Sequence, residues 1–373
     1  MLNHKTLGII FANMHDAAVN DLTQLRSMAS LPFGGRYRMI DFYLSSLVEA
    51  GVSQVGIVTK SNYQSLMDHI GSGRDWDLAR RGGISILPPY SFSNANGNAA
   101  YHGRIEALYN VLGYLKKTGA EYVVLMDADH VCTLDIEALV EGHHASGADV
   151  TMVVRKPDGD PEGLANCVAV RTDETGRVRE MLQNNCKEGF KLSMNVFVVS
   201  RVKLVEMIED ATSRMQTFFE RDVLQANLDT LDVRVSFHTG YVRRITSLQS
   251  YYENNLDLIN PANIDALFRE RTVFTKVHDS PPVRYGLECK VGGAIIADGC
   301  VIEGTVENCV LFRGVHVKKG AVVRNCILMQ DTVVGENSVL DSVITDKEVT
   351  VSAGTKLSGA ASYPLYIKKG SEV

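Results

Sequence analysis

The sequence lacks several features that would place it in other classes of protein. No apolar run approaches the roughly 18 to 20 residues that span a bilayer, and no cleavage-site pattern indicates a signal peptide. There is no basic stretch or tail, and the formal net charge is -6, which argues against a nucleic-acid-binding protein. The seven cysteines are scattered, odd in number and free of Cys-x-x-Cys pairs, so we expect free thiols in a reducing cytoplasm.

A more informative absence follows the first apolar run, Leu7–Phe11, which is predicted to be a buried strand of an α/β sheet. Residues 9–33 contain no glycine, and residues 6–25 contain no lysine or arginine. In a nucleotide-binding fold, this loop needs glycines and basic side chains that cradle phosphates. The loop carries Asp16 and Asp21 instead, which indicates that it does not hold a triphosphate.

What is present indicates two domains, because 373 residues exceed one typical domain. Apolar runs alternate with helical-period stretches, which predicts a Rossmann-like α/β domain with a largely parallel sheet and helices on both faces. Residues 75–98 are expected to form a long loop. Strands are expected at Leu7–Phe11, Gln54–Val58, Tyr122–Met126, Asp149–Val154, Cys167–Arg171, Met194–Val199 and Val233–His238. Helices are expected in Ile40–Ala50 and Ile105–Lys116.

The final part of the chain has a different pattern. Apolar residues recur every six positions from Val315 to Leu357, with glycine, asparagine and aspartate between them. This period favours a parallel β-helix, in which each six-residue side stacks on the coil below, over the alternative of a small β-sandwich. The chain is therefore divided into an α/β domain at 1–245, a helical connector at 246–285 and a β-helix at 286–373.

Two aspartates follow the predicted strand Tyr122–Met126. Asp127 and Asp129 are two residues apart and so lie on the same side of an extended chain. Carboxylates at the carboxyl end of such a strand can hold Mg²⁺ between protein and phosphates. The alternative is a solvated loop, or a cap for the helix that begins near Asp135.

The histidines give weaker signals. His143 and His144 lie in a predicted connection between a helix and a strand, with no cysteine or further histidine at metal-ligand spacing, so we expect both on the surface. His316 lies within the six-residue repeat of the final part of the chain, so we expect it to be packed or half-exposed rather than a catalytic base.

Two further segments are candidate anion sites. Phe33–Asp41 has paired glycines that allow close backbone approach and two arginines that could meet an anion. Tyr101–Ala107 opens a helix, whose amino terminus attracts negative charge. The alternatives are a structural turn in the first segment and an ordinary helix cap in the second. The candidate residues are Arg36, Arg38, Gly103 and Arg104.

Several motifs together resemble those of bacterial glucose-1-phosphate adenylyltransferases, also called ADP-glucose pyrophosphorylases. LPFGGRYRMIDFYLS, from Leu31, is similar to their FGGK-[YF]-R-IIDF stretch, and AEYVVLMDADH, from Ala120, is similar to a strand that ends in a GDH acid. LSMNVFVV, from Leu192, is similar to a sugar-pocket strand, which makes Ser193 a candidate binding residue. The resemblance covers nearly the whole chain. It implies a glycosyltransferase A-like nucleotidyltransferase domain, a left-handed parallel β-helix, Mg²⁺ and a tetrameric assembly.

The departures from the family pattern fall on residues that the resemblance implicates in chemistry. FANMHDAAVN replaces a GGxGTRL loop, Met28 replaces a phosphate-facing lysine, and Asn184 replaces a lysine for the sugar phosphate. Arg244 replaces a metal-binding aspartate, and Arg104 replaces a small residue that contacts nucleotide. Asp129 then remains as a vestigial metal ligand, and no catalytic residue is assigned to this chain.

The resemblance, with these departures, implies a non-catalytic regulatory or structural subunit of the GlgD type. Such a subunit would enhance a catalytic partner that makes ADP-glucose and pyrophosphate from ATP and glucose 1-phosphate in bacterial glycogen biosynthesis. We expect a cytoplasmic homo- or hetero-oligomer, a tetramer by resemblance, in which Mg²⁺ belongs to the catalytic partner. Two alternatives stay open. One is an active sugar-1-phosphate nucleotidyltransferase with a rewired loop, and the other is a module that senses a sugar-phosphate or nucleotide effector.

Overall fold

The computed structural model describes residues 4–79, 82–88, 101–157 and 167–373. These residues form an α/β domain, two connecting helices and a parallel β-helix. The strands before the β-helix are β1 (Thr6–Phe11), β2 (Pro32–Phe33), β3 (Tyr37–Arg38), β4 (Gln54–Val58), β5 (Ile84–Leu87), β6 (Tyr122–Asp127), β7 (His130–Cys132), β8 (Val150–Arg155), β9 (Val168–Thr172), β10 (Val178–Gln183), β11 (Lys191–Ser200), β12 (Val233–Phe237) and β13 (Val242–Arg244). The helices are α1 (Asn20–Thr23), α2 (Met39–Glu49), α3 (Gln64–Ile70), α4 (Arg104–Asn110), α5 (Leu112–Lys117), α6 (Ile136–Ser146), α7 (Arg201–Ser213), α8 (Leu248–Asp257) and α9 (Pro261–Phe268).

In the described part of the chain, nine strands form one sheet in the order β10-β9-β11-β6-β1-β4-β5, with β8 beside β11 and β12 beside β8. Strands β1, β4, β5 and β6 are parallel, but β11 runs antiparallel to β6, β8 and β9. The prediction of a largely parallel sheet is therefore wrong for the half around β11. The chain passes from β9 to β11 through consecutive strands, whereas a parallel pair needs a long crossover connection.

Alternate residues of the central strands face two separate cores. Leu7 and Ile9 of β1 pack with α4 and α7 on one face of the sheet, and Ile10 packs with α2 and α6 on the other. Side chains alternate across a strand, so one strand supplies both cores. The predicted helices on both faces are thus confirmed.

Two predicted elements differ in detail. The helix expected over Ile105–Lys116 is interrupted at Val111, where α4 ends and α5 begins. The loop expected over residues 75–98 contains strand β5, which pairs with β4. Residues 80–81 and 89–98 of that loop lie outside the described residues. A four-residue apolar run is too short for periodicity to separate a strand from a loop.

The connecting helices contact both domains. The Tyr251 hydroxyl donates to the Pro32 carbonyl at 2.7 Å, and the Tyr252 hydroxyl donates to the Asn325 carbonyl of the β-helix at 2.6 Å. Pro261 is the first residue of α9, where a backbone N–H would have no partner within the helix, so the proline costs no hydrogen bond. The connector is therefore packed between the domains rather than extended as a linker.

The β-helix is built from short parallel strands that stack coil upon coil. In the central coils, partners in adjacent coils are 17 residues apart, as in Val322 with Val339 and Val339 with Lys356. Its strands are β14 (Arg284–Tyr285), β15 (Lys290–Ile296), β16 (Val301–Ile302), β17 (Thr305–Leu311), β18 (His316–Val317), β19 (Val322–Arg324), β20 (Ile327–Leu328), β21 (Val333–Val334), β22 (Val339–Asp341), β23 (Val343–Thr345), β24 (Thr350–Val351), β25 (Lys356–Ser358) and β26 (Leu365–Ile367).

The 17-residue coil corrects the predicted strict repeat of six residues. Three sides of six residues would give 18 residues per coil, so the six-residue repeat moves out of register with the structure by one position in each 17-residue coil. Val339 belongs to the predicted six-residue repeat but is 37% exposed, whereas Leu340 is fully buried. The corners explain the glycine and asparagine between the strands, because left-handed residues recur there every 17 positions. The corner residues are Asn308, Asn325 and Ser342, then Gly314, Asp331 and Glu348, then Gly320, Asn337 and Gly354.

A third core joins the α/β domain to the β-helix. Phe33 and Phe42 belong to the same apolar cluster as Phe312 of the β-helix. Beside it, Nη2 of Arg26 donates to Oδ1 of Asp346 at 2.6 Å, and both side chains are buried. None of the described helices is long and apolar enough to cross a membrane.

Candidate functional site

The candidate site lies where β1 and β6 end side by side. The two strands are parallel, with Phe11 opposite Asp127, so the loop after β1 meets the aspartates after β6 at the carboxyl edge of the sheet. Ligands bind at this edge in sheets of this kind. Asp127 and Asp129 are 1% and 0% exposed, so the alternative of a solvated loop is wrong. Two buried carboxylates require positive or hydrogen-bonding partners.

Arg104, the first residue of α4, is the main partner of Asp127. Its Nη1 and Nη2 donate to Oδ1 and Oδ2 of Asp127 at 2.7 and 3.0 Å, and Nη2 also donates to Glu220 at 2.7 Å. The guanidinium carbon lies 4.9 Å from the ring centroid of Phe11 and 5.1 Å from that of Phe197. Burial alone would lower the pKa of Arg104, but Asp127 and Glu220 raise it above its ordinary value. Arg104 is thus a core residue in a bidentate ion pair.

Arg244 is the corresponding partner of Asp129. Strand β13 pairs with β7 so that Arg244 lies opposite His130, and Nε of Arg244 donates to Oδ2 of Asp129 at 2.9 Å. Nδ1 of His130 lies 2.7 Å from the other carboxylate oxygen, Oδ1. Burial favours the neutral acid, but His130, His15 and Arg244 together hold the pKa of Asp129 well below its ordinary value.

His15 lies between the two carboxylates. Its Nε2 is 2.7 Å from Oδ2 of Asp127 and 3.5 Å from Oδ2 of Asp129. Burial lowers the pKa of His15, but Asp129 and Asp127 outweigh this effect and leave the pKa raised. The two carboxylates therefore stabilise the protonated form of His15 relative to that of a free imidazole. We call His15, Arg104, Asp127, Asp129 and Arg244 the strand-end network.

The strand-end network does not fit Mg²⁺. This ion prefers carboxylate and water oxygens in a near-octahedral arrangement. Each oxygen of Asp127 and Asp129 lies instead within hydrogen-bond distance of a guanidinium or imidazole nitrogen. A metal ion at either aspartate would have to displace a buried cation that makes the same electrostatic contact.

The loop after β1 is closed upon itself rather than open to a phosphate. Oδ1 of Asp16 accepts from the backbone N–H of Met28 at 2.7 Å, and Oδ2 accepts from Asn13 at 2.6 Å. The Met28 side chain is 1% exposed and belongs to the core between the domains. Asp21 is exposed. Met28 therefore packs against apolar neighbours at the position where the resemblance implies a lysine.

Three other predicted site residues have structural roles or exposed positions. Asn184 follows β10, is exposed and has a left-handed backbone with φ 54°. Ser193 is buried in β11, and its Oγ accepts from the backbone N–H of Asn195 at 3.1 Å. Gly103 precedes α4, and a Cβ at this position would lie 2.3 Å from the carbonyl oxygen of Thr217. Gly103 is thus required for close packing of the backbone.

The predicted anion-site arginines occupy different surroundings. Arg36 is exposed, whereas Nη1 of Arg38 donates to the carbonyl and hydroxyl oxygens of Ser65 at 2.6 and 2.9 Å. Burial lowers the pKa of Arg38 to about 10. Burial, together with Arg38 and Arg26, lowers the pKa of Lys347 in the β-helix to about 7. Arg38 thus belongs to a group of cations between the domains, which we call the interdomain basic cluster (Arg26, Arg38 and Lys347), while Arg104 belongs to the strand-end network.

Sequence reasoning missed His15, His130 and Glu220. Glu220 lies 116 residues after Arg104, so no local pattern links them. His15 carried a weak signal, since it lies in the loop directly after the first strand, on the same sheet edge as Asp127. The arrangement of opposite charges was visible only after the sheet order was known.

Comparison with known families agrees with this two-part architecture. Residues 18–183 match the nucleotidyl transferase family, and residues 283–360 match the GlmU-like C-terminal hexapeptide family. Together with the stacked parallel strands, these matches confirm the predicted Rossmann-like nucleotidyltransferase domain followed by a parallel β-helix.

Comparison with known proteins extends the similarity to the whole chain. The chain is 32% identical over 372 residues to the glycogen biosynthesis protein GlgD of Bacillus subtilis (strain 168), covering 99% of this chain and 97% of that protein. It is 31% identical to the glucose-1-phosphate adenylyltransferase of Geobacillus stearothermophilus, over 87% of this chain and 84% of that enzyme. It is 30% identical to the glucose-1-phosphate adenylyltransferase of Bacillus anthracis, over 94% of each chain.

Proposed function

This chain belongs to the glucose-1-phosphate adenylyltransferase family, and on that premise we propose that it is a non-catalytic subunit for glycogen biosynthesis. In this proposal it assembles in the cytoplasm with a catalytic member of the family, as a tetramer by family resemblance, and raises that member's turnover. The catalytic partner makes ADP-glucose and pyrophosphate from ATP and glucose 1-phosphate and holds the Mg²⁺.

The observation that carries the proposal is the pairing of both buried aspartates with arginines. Transfer of a nucleotidyl group depends on positioning and on neutralisation of phosphate charge. Arg104 and Arg244 already neutralise Asp127 and Asp129 at 2.7 to 3.0 Å. The carboxylates are then poor ligands for the divalent ion that would bridge them to a triphosphate.

The loop after β1 supports the same conclusion independently. It offers no lysine, arginine or glycine between residues 9 and 25, and Asp16 ties it back to Met28. Loss of one transition-state donor lowers a rate by roughly 10²–10³. Several such losses leave negligible turnover even when their effects are far from additive.

The test measures pyrophosphate release from ATP and glucose 1-phosphate with Mg²⁺. We expect the chain alone to be at least about 10³-fold slower than a catalytic family member under the same conditions. Added to a fixed amount of the catalytic member from the same organism, it should raise turnover and saturate at a defined ratio. Mass measurement of the mixture reports the assembly and its stoichiometry.

The same assay decides the alternative of an active enzyme with a rewired loop. A panel of nucleotides and sugar 1-phosphates is offered to the chain alone, with Asp129→Asn as the matched variant. Turnover that depends on Asp129 would overturn the proposal. Failure of the chain to change the partner's rate or its response to activators would also overturn it.

A second candidate function is the sensing of a phosphorylated metabolite at the interdomain basic cluster. The favouring observation is that burial, Arg38 and Arg26 lower the pKa of Lys347 to about 7 even though the Asp346 carboxylate, which pairs with Arg26, opposes this shift. A phosphate placed there would relieve this repulsion, and an effector bound between the domains would contact both of them. The expected result is binding of a sugar bisphosphate or a nucleotide by calorimetry, without turnover, and its loss in Lys347→Met. Retention of full binding by that variant would contradict this second function.

A further inference from the structure

We propose that His4, Glu121 and His144 form a zinc-binding site on the edge of the sheet opposite to the strand-end network. One ligand atom from each of the three side chains lies within 4.8 Å of the other two. Nδ1 of His4 is 3.0 Å from Oε2 of Glu121, and the imidazole centroids of His4 and His144 are 4.2 Å apart. No local sequence pattern indicates this group, because 117 residues separate His4 from Glu121.

The fold holds the three residues together through the two central strands. β1 and β6 pair in parallel with Thr6 opposite Tyr122, and the backbone N–H of Glu121 donates to the Lys5 carbonyl at 2.7 Å. His4 and Glu121 therefore precede neighbouring strands on the same sheet edge. His144 comes from the last turn of α6.

A tyrosine orients one of the proposed ligands. The Tyr122 hydroxyl lies 2.8 Å from Nδ1 of His144, and the ring of His4 packs edge-on against the Tyr122 ring at 5.3 Å. Metal-binding histidines commonly have such a partner on the second ring nitrogen, which fixes the ring and the tautomer. The neighbouring His143, expected on the surface, is instead buried and lies 2.8 Å from Thr151 Oγ1.

Two imidazoles and one carboxylate are a ligand set that suits Zn²⁺. Zinc binds histidine nitrogen at roughly 2.0–2.1 Å and carboxylate oxygen at roughly 2.0–2.2 Å, usually with four ligands. The three donor atoms must close by roughly an ångström around the ion, which side-chain rotation supplies at this exposed edge. Water can supply the fourth ligand. Oε2 of Glu141 lies 3.9 Å from Nε2 of His4, the ring nitrogen away from Glu121, where it can orient the His4 imidazole.

Zinc at this position would tie the segment before β1 to β6 and α6. The ion binds the folded chain preferentially, since the three donors are dispersed in the unfolded chain, so the fold should become more stable as the zinc concentration rises above the dissociation constant. The site is separate from Asp127 and Asp129, which lie at the other end of β6. This proposal therefore stands or falls independently of the proposed function.

The test uses the full chain without a polyhistidine tag. Calorimetric titration with ZnCl₂ should give one ion per chain, and His4→Gln and His144→Gln should each weaken binding at least about tenfold. Co²⁺ added in place of zinc should give visible absorption bands of a site with four or five ligands. His316→Gln, a histidine in the β-helix, is the matched control and should bind zinc normally.

Two results would overturn the proposal. One is a zinc dissociation constant larger than about 10⁻⁴ M, an affinity so low that any exposed pair of histidines could give it. The other is tight binding that survives both His4→Gln and His144→Gln. His144 is exposed, whereas His4 and His316 are partly buried, so circular dichroism and thermal melts in the absence of metal are compared with those of the natural chain for every variant. A variant that melts early would be replaced by His4→Ser or His144→Ser.

Discussion

The strand-end network and the β-helix differ in how far apart in sequence their contacting residues lie. In the central coils of the β-helix, the partner of a residue is 17 positions away on the next coil, so the contacts repeat along the sequence. In the strand-end network, Arg104 meets Asp127 and Glu220, and Arg244 meets Asp129 across 115 residues. The β-helix can therefore be predicted from its period, whereas the network depends on the whole sheet order.

The difference also shows how a site can change while its scaffold stays. Asp127 and Asp129 are buried, so they need compensating charge whether or not the chain does chemistry. Arg104, Arg244 and His15 supply that charge from within the protein. The domain can then keep its carboxylates and its core without a metal ion. The following substitutions test this contrast between the two regions.

The largest effect is expected for Arg104→Met. Removal of one partner of a buried ion pair usually costs about 3–5 kcal/mol, because the other charge stays buried. Here Asp127 and Glu220 would both lose their main cation. Denaturant unfolding measures the loss. Arg221→Ala, which breaks an exposed pair with Asp222, is the control and should change stability far less.

An equal loss in both variants would mean that the strand-end network is no more important than a surface pair. Adding Asp127→Asn to Arg104→Met should recover part of the stability, because it removes the uncompensated charge. No recovery would indicate that Arg104 acts through its packing against Phe11 and Phe197 rather than through charge.

Arg244→Met should cost less, about 2–3 kcal/mol, because Asp129 keeps His130 and His15 as partners. Arg244 opposes protonation of His15, so its removal should also raise the pKa of that imidazole. Unfolding measures the first effect, and NMR titration of His15 measures the second. An unchanged or lower pKa for His15 in this variant would contradict the charge repulsion between Arg244 and His15.

The β-helix corner at Asn325 should show a smaller and more local effect. Asn325 has φ 50°, accepts from Asn308 at 2.8 Å and donates to Asp341 at 2.9 Å. Asn325→Ala loses these bonds and strains the left-handed backbone, which together should cost about 1–3 kcal/mol. Asn325→Gly relieves the strain and should recover part of the loss. Equal losses in the two variants would show that backbone strain contributes nothing at this corner.

Much of the fold was predictable because its signals are local. The strand Gln54–Val58 was predicted with the bounds that the structure has, and the β-helix followed from its period. The direction of β11 was not predictable, because antiparallel pairing with three strands is set by sheet order and not by its own apolar run. The 17-residue length of the coil was not predictable, because three six-residue sides differ from it by only one residue per coil.

The candidate site was predictable as a location but not as an arrangement. Asp127 and Asp129 were assigned to the end of a strand from local sequence, and that location agrees with the structure. The position of Arg104 and Arg244 on those carboxylates depends on pairing between β7 and β13 and on the start of α4. Such long-range pairing produces no periodic pattern in a single sequence. The sequence therefore shows that Arg104 and Arg244 differ from the family pattern, but it does not show which residues they contact.

The smallest effect concerns the pH dependence that His15 gives the strand-end network. Its pKa is raised in the folded chain, so its stabilising contribution is complete below its unfolded value near 6.5 and is lost as the pH rises through the folded value. His15→Gln should therefore lower stability more at pH 6 than at pH 9. His238 provides a control of opposite sign, because burial lowers its pKa and His238→Gln should become relatively more stable as the pH falls. Unfolding curves at several pH values measure both variants. A difference between the natural chain and His15→Gln that does not change with pH would mean that His15 has the same pKa in the folded and the unfolded chain, which would contradict its stabilisation by the two aspartates.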